Sequence, residues 1–220
     1  MKTETVILDP VRPDVTLTSY ILPGCRPAML VLPGGGFYAL ASHEGDPFAI
    51  RFMAEGFNAF VLNYSIGKPK SFFPRPLTDV SAAIVHIREN AEKYCIDPDK
   101  LFVIGSSAGG YLAGAIGAMW HCDFAKSSPD MEYGANRPNG VILTYGVVST
   151  REDIRCFCFD NLVTEEYGEE EVSLERYVDE KSAPAFIWHS FPDECVDPRN
   201  ALVLAEAYVR AKVPCELHLY

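Results

Sequence analysis

The chain alternates short apolar runs with longer amphipathic runs, and this alternation constrains its fold more than any other feature. Apolar runs of strand length occupy residues 28–32, 57–64, 101–105 and 140–149. An amphipathic run of helical length, residues 77–95, lies between the second and the third of these. Strands separated by helices form a mostly parallel sheet with helices on both faces, so the predicted fold class is α/β.

The complete pattern predicts eight strands and a single domain over residues 1–220. The stretches TVILDP and VTLTSYIL predict two antiparallel edge strands at the beginning, and PAFIWHS and CELHLY predict the last two strands. An acidic stretch at about 150–183 interrupts the alternation. It is too short to bury a core of its own, so we expect a partly helical cap insertion.

Charge and cysteine content restrict the classes of partner. The chain has 30 acidic and 19 basic residues, a net charge of −11, which argues against nucleic acid as a partner. No apolar run is long enough for a membrane span, and MKTETVILDP has no signal-peptide pattern. Seven cysteines, an odd number, favour reduced thiols and a cytoplasmic location. Cys156 and Cys158 alone make a poor zinc site, so neither metal nor cofactor is expected.

The stretch VIGSSAGGYLAG fits the G-x-S-x-G pattern at Gly105, Ser107 and Gly109. A strand precedes the pattern and a helical run follows it, which is the context of a nucleophile elbow: small neighbours permit a sharp turn that exposes a serine hydroxyl. Only Ser107 has the required register, and Ser106 occupies the variable position. A glycine-serine loop that merely opens a helix is the alternative interpretation.

The stretch LPGGGF follows the third strand. Consecutive glycines let backbone N–H groups approach a developing oxyanion closely, as acyl transfer requires. The same residues also fit the dinucleotide pattern G-x-G-x-x-A through Gly34, Gly36 and Ala39. That pattern needs an acidic residue at the end of the next strand, where this chain has Asn63, so we discount it.

An acid is expected after the seventh strand, where a nucleophile-elbow enzyme places the second member of its triad. The stretch WHSFPDECVD offers Asp193, Asp197 and Glu194. Asp197 precedes a proline and suits a helix cap, which leaves Asp193 as the preferred acid. Capping of the next helix would also explain all three.

Several stretches together resemble the α/β-hydrolase-fold esterases of the lipase and acetyl-xylan-esterase type, relatives of the prolyl-oligopeptidase hydrolases. They are LPGGGF, SHEGDPFA, GFNAFVLNYS, residues 76–113, PAFIWHS and VPCELHLY.

The resemblance implies an α/β-hydrolase fold and a small ester substrate, especially an acetyl group on a sugar. It makes Ser107 the nucleophile and Asp193 the acid, with the oxyanion hole formed by backbone N–H groups of Gly35, Gly36 and Ala108. We expect Phe37, Tyr38, His43 and His189 to contact the substrate. A homo-oligomer is an open expectation.

The triad histidine is missing from its expected position. Similar esterases carry it after the eighth strand, followed by a final helix, whereas this sequence stops at Tyr220. His218 lies within the strand, and His189 matches a structural position and is a weak substitute. We therefore expect a truncated sequence whose base lies beyond Tyr220. The alternative is a catalytically impaired hydrolase-fold protein that binds a ligand or partner.

Overall fold

The computed structural model describes all 220 residues. The strands are β1 Lys2–Ile7, β2 Thr16–Ile21, β3 Arg26–Leu32, β4 Asn58–Asn63, β5 Ile96–Ser106, β6 Gly140–Thr144, β7 Ala185–His189 and β8 Cys215–Leu219. The helices are α1 Asp46–Ala54, α2 Arg75–Glu89, α3 Ala108–Met119, α4 Glu169–Val172 and α5 Arg199–Ala211.

The eight strands form one sheet in the order β1-β2-β4-β3-β5-β6-β7-β8. β1 pairs with β2, and β2 with β4, in antiparallel fashion, whereas all other pairs are parallel. This is the mostly parallel sheet with two antiparallel edge strands that the sequence predicts. β3 and β5 are neighbours, with Leu32 opposite Gly105, so the loops that follow these two strands leave the same edge of the sheet side by side.

Hydrophobic residues cover the two faces of the sheet unequally. The larger cluster has 46 buried residues, among them Ile84 of α2 and Leu112 of α3. The smaller cluster has 6 buried residues and includes Ala49 of α1. Residues of β5 alternate between the two clusters, with Val103 in the larger and Ile104 in the smaller, as the period of a strand requires.

Two elements are shorter than their sequence patterns predict. α2 ends at Glu89 instead of continuing to Cys95, and at Asn90 both the backbone N–H (3.2 Å) and the side-chain amide (2.8 Å) donate to the His86 carbonyl. β6 ends at Thr144 because Tyr145 has φ 42°, a value that a strand cannot accommodate.

The segment 150–183 contains α4 and a 3-10 turn over Phe157–Asn161. Phe159 and Leu174 from this segment are fully buried in the larger cluster, so it packs against the same core as the sheet. All seven cysteines are free thiols. None of the helices is long and apolar enough to cross a membrane.

Candidate active site

Ser107 lies at the sharp turn between β5 and α3. Its backbone has φ 53° and ψ −117°, an unfavourable region for a residue with a side chain. Its N–H donates to the Thr144 carbonyl at 3.0 Å, and its carbonyl accepts from the Tyr111 N–H at 3.1 Å. Ser106, by contrast, is buried in the sheet with its Oγ 2.7 Å from Thr144 Oγ1. The strained turn therefore belongs to Ser107, and Ser106 is a structural residue.

The glycines of the elbow permit close contact between backbones. A Cβ atom at Gly105 would lie 2.0 Å from the Gly109 carbonyl oxygen. A Cβ atom at Gly109 would lie 2.0 Å from the Leu32 carbonyl oxygen, which belongs to the end of β3. These separations are far below van der Waals contact, so the start of α3 fits against β3 and β5 only without side chains at these positions.

The glycine loop, residues 34–37, follows β3 and has its carbonyl groups tied into the protein. The Gly35 carbonyl accepts from the Ala39 N–H at 3.1 Å, and the Gly36 carbonyl accepts from Asn161 Nδ2 at 2.9 Å. In a trans peptide the N–H points opposite to the carbonyl, so these two bonds orient the N–H groups of Gly36 and Phe37 away from Ala39 and Asn161. The N–H groups of Gly35 and Gly36 donate no hydrogen bond within the protein.

The structure brings the glycine loop and the elbow together. A Cβ atom at Gly34 would lie 3.0 Å from Ser107 Cβ. Ala108 follows Ser107 as the first residue of α3, so its N–H has no acceptor within the helix. The backbone donors that the sequence proposes for an oxyanion hole thus belong to two segments that meet beside Ser107.

Glu44 is a residue of this region to which no sequence motif gives a role. It is 7 % exposed, and its Oε2 accepts from the Gly34 N–H at 2.7 Å. Its Oε1 accepts from the Tyr145 hydroxyl at 2.9 Å. No spacing rule identifies an acidic residue ten positions after Gly34, and only the fold shows this contact.

Asp193 lies in the loop after β7 with three contacts to its carboxylate. Oδ1 accepts from the N–H groups of Cys195 at 2.8 Å and Val196 at 3.0 Å, and Oδ2 lies 3.2 Å from His189 Nε2. Asp197 differs, because its carboxylate is bound by the Arg199 side chain and N–H, and this hydrogen bonding with Arg199 lowers its pKa. Asp197 thus has the cap-like role that its sequence context predicts, and Glu194 is exposed.

A cleft of about 620 Å³ lies beside Asp193. Phe191, Cys156 and Leu219 are among its lining residues, whereas Ser107 is not. The Asp193 side chain is 19 % exposed and forms part of the lining of this cleft.

Two of the residues expected to contact a substrate, Phe37 and His189, have buried side chains. Phe37 is 0 % exposed and packs edge-on against Tyr111, with ring centroids 5.9 Å apart. His189 is 1 % exposed, and its Nε2 lies 3.0 Å from the Val196 carbonyl. Because a carbonyl only accepts, Nε2 must carry the proton, and the buried Nδ1 has no hydrogen-bond partner. His189 is therefore not placed as a substitute base.

The remaining candidates lie at the surface or have other partners. Tyr38 is 62 % exposed and the His43 side chain 80 % exposed, so both are accessible near the glycine loop. His218 Nε2 lies 3.2 Å from Glu216 Oε2. None of the five histidines of this chain forms a hydrogen bond with Ser107.

A family model described as BD-FAE matches residues 22–208. Among curated relatives, endo-1,4-beta-xylanase B of Butyrivibrio fibrisolvens is 37 % identical over 194 residues, which cover 86 % of this chain and 30 % of the relative. Acetylxylan esterase of Xylanibacter ruminicola is 29 % identical over 176 residues, which cover 79 % of this chain and 33 % of the relative. This chain therefore spans about a third of the length of each of these two proteins.

Solved structures share the fold over the whole chain. An acetyl ester-xyloside bifunctional hydrolase from Caldicellulosiruptor lactoaceticus is 30 % identical with a TM-score of 0.85, covering 99 % of this chain and 85 % of that chain. The carboxylesterase Cest-2923 from Lactobacillus plantarum WCFS1 is 25 % identical with a TM-score of 0.86, and the match covers 100 % of this chain and 83 % of the carboxylesterase chain.

Proposed function

Because this chain belongs to the BD-FAE family and is an esterase by lineage, we propose that it hydrolyses small carboxylic esters through a serine acyl-enzyme. The observation that carries the proposal is the strained backbone of Ser107 beside the free N–H groups of Gly35 and Gly36. A nucleophile next to unpaired backbone donors is the arrangement that acyl transfer requires.

In the proposed reaction, Ser107 Oγ attacks the ester carbonyl carbon while a general base takes the hydroxyl proton. The carbonyl oxygen becomes an oxyanion, which accepts hydrogen bonds from Gly35, Gly36 and Ala108 N–H groups. Collapse of this tetrahedral intermediate expels the alcohol, which takes the proton back, and leaves an acyl group on Ser107. Water then attacks the acyl-enzyme by the same route and releases the acid.

Asp193 is proposed to orient the base, the imidazole of a histidine other than the five in this sequence, none of which hydrogen-bonds Ser107. Its Oδ1 is occupied by two backbone N–H groups, which fix the carboxylate. Its Oδ2 has a further lone pair to accept an imidazole N–H, although this oxygen already faces His189. An acid held in this way stabilises the imidazolium that forms when Ser107 loses its proton.

The proposed substrates are acetyl groups on carbohydrates. Two relatives of this chain are named an acetylxylan esterase and an acetyl ester-xyloside hydrolase, which supports this class. Exposed Tyr38 and His43 beside the glycine loop are the side chains proposed to meet the sugar.

The experiment compares three forms of the protein on p-nitrophenyl acetate and on acetylated xylan. Ser107→Ala is expected to lower kcat by about 10³-fold or more. Ser106→Ala is the matched control, since it removes an adjacent serine hydroxyl that is buried against Thr144, and we expect it to retain most activity. Equal rates in Ser107→Ala and the unmodified protein would contradict the assignment of the nucleophile.

A second candidate function is a hydrolase-fold binding protein without catalysis. The observation that favours it is that no histidine of this chain hydrogen-bonds Ser107. It predicts binding of acetylated xylo-oligosaccharides, measured by calorimetry, without release of acetate. Acetate release that depends on Ser107 excludes it.

A further inference from the structure

Glu44 places a buried carboxylate directly against the glycine loop. Only 7 % of the residue is exposed, and removing an ionised carboxylate from water is costly unless hydrogen bonds replace the lost hydration. Both of its oxygens have a donor, Gly34 N–H at 2.7 Å and the Tyr145 hydroxyl at 2.9 Å. The His43 imidazole also lies near the carboxylate, with Nε2 3.8 Å from Oε1.

Gly34 is enclosed between this carboxylate and the nucleophile elbow. A Cβ atom at Gly34 would lie 2.6 Å from Glu44 Oε2, 2.8 Å from the Ser106 carbonyl oxygen and 3.0 Å from Ser107 Cβ. The Glu44 carboxylate and the Ser107 side chain therefore both lie close to the position that a side chain of residue 34 would take. A shift of the carboxylate would change the spacing between the loop and the serine.

The peptide group between Pro33 and Gly34 is held on both sides. Its carbonyl accepts from the Tyr64 hydroxyl at 2.6 Å, and its N–H donates to Glu44. The next carbonyl, that of Gly34, accepts from the Ala41 N–H at 2.9 Å. These bonds fix the orientation of the peptide plane that carries the Gly35 N–H, the first of the free donors.

Tyr145, which directly follows β6, supports the Glu44 carboxylate. Its φ of 42° turns the chain out of β6, and its N–H donates to the Trp188 carbonyl at 2.8 Å. Burial raises the pKa of Tyr145, so its hydroxyl keeps its proton and remains a donor to Glu44 at neutral pH.

We propose that Glu44 is a positioning residue for ester hydrolysis: its carboxylate holds Gly34 so that the free N–H groups of the glycine loop meet the oxyanion formed at Ser107. Glu44 touches neither substrate nor reacting atoms in this role, and acts through the backbone. The inference rests on the proposed function. The oxyanion exists only after attack, so loss of this support weakens binding of the transition state more than binding of the ester.

The test measures kcat and KM of Glu44→Ala and Glu44→Gln with p-nitrophenyl acetate. We expect Glu44→Ala to lower kcat by about 10- to 100-fold, because a donor displaced by about 1 Å loses that much rate, with KM changed less than about threefold. Glu44→Gln keeps an acceptor for Gly34 and a group that can donate to the Tyr145 oxygen. We expect it to recover kcat to within about threefold of the unmodified protein, on the reasoning that acceptor geometry is what matters.

Asp79→Asn is the matched control. Asp79 is another fully buried carboxylate, which accepts from the Ser65 N–H and from Arg12 and makes no hydrogen bond with the glycine loop. We expect this variant to lose thermal stability while kcat per folded molecule stays unchanged. Affinity for phenylboronic acid, which forms a tetrahedral adduct with a serine, is expected to fall with kcat in Glu44→Ala and to stay unchanged in Asp79→Asn.

Three results would overturn the proposal: an unchanged kcat in Glu44→Ala, a rise in KM alone, or a Glu44→Gln variant as slow as Glu44→Ala. Each is interpreted only where the unmodified protein is active and Ser107→Ala is not. If the unmodified protein shows no activity dependent on Ser107, the proposed function itself fails. The two failures are therefore distinguishable.

Discussion

Replacing Gly109 with alanine tests how the elbow is built. The added Cβ would lie 2.0 Å from the Leu32 carbonyl oxygen and 2.6 Å from that of Pro33, whereas carbon and oxygen normally approach to about 3.3 Å. Leu32 cannot retreat easily, since it is paired with Gly105 in the middle of the sheet. The start of α3 must therefore move by about 1 Å.

Adding one methyl group to a packed site typically lowers the free energy of unfolding by about 1–3 kcal/mol. Because the new methyl group would meet the backbone of β3, which is held in the sheet, we expect a loss at the upper end of this range. A loss of about 3 kcal/mol in a protein of this size corresponds to a fall in Tm of about 6–12 °C. Because Ser107 immediately precedes α3, a shift of that helix also displaces the proposed nucleophile, and we expect kcat to fall by about 100-fold.

Gly168→Ala is the matched control for Gly109→Ala. Gly168 precedes α4 with φ −78°, and its nearest neighbour is the carboxylate oxygen of the flexible Glu171 side chain at 3.2 Å. Both variants reduce the entropy of the unfolded chain equally, so the difference between them isolates the clash. Thermal unfolding followed by circular dichroism, together with hydrolysis of p-nitrophenyl acetate, measures both effects. Equal Tm and kcat in the two variants would refute the reasoning.

Three further predictions concern other parts of the molecule. Arg12→Ala leaves the buried carboxylate of Asp79 without its cation, 2.6 Å away in the intact protein, and we expect a loss of about 3 kcal/mol in urea unfolding; an unchanged midpoint would contradict this. The neighbouring Cys158 thiol lowers the pKa of Cys156, so the rate of alkylation by iodoacetamide at Cys156 should rise at a lower pH than that of an ordinary thiol, and Cys158→Ala should move that rise to higher pH. Identical pH profiles would exclude this influence of Cys158. Asn161→Ala removes the donor to the last glycine carbonyl of the glycine loop and should lower kcat by about tenfold without changing KM, and steady-state kinetics decide this.

Local patterns in the sequence determined the order of elements and the position of the elbow. The register of G-x-S-x-G already separates Ser107 from Ser106, because a sharp turn needs small neighbours at fixed distances along the chain. The same holds for the β3–glycine loop connection and for the contact of Asp197 with the start of α5. All of these depend on residues that are close together in the sequence.

Tertiary structure decided what depends on residues far apart in the sequence. Glu44 and Tyr145 form a hydrogen bond although they are 101 positions apart, and Asn161 and Gly36 form one although they are 125 positions apart. No local sequence pattern predicts either contact. Burial is likewise a property of the folded molecule. His189 is the last residue of β7 and so lies at the same edge of the sheet as Ser107, yet its side chain is buried. A sequence specifies backbone geometry through short-range sterics, whereas the surroundings of a side chain depend on which distant segments pack against it.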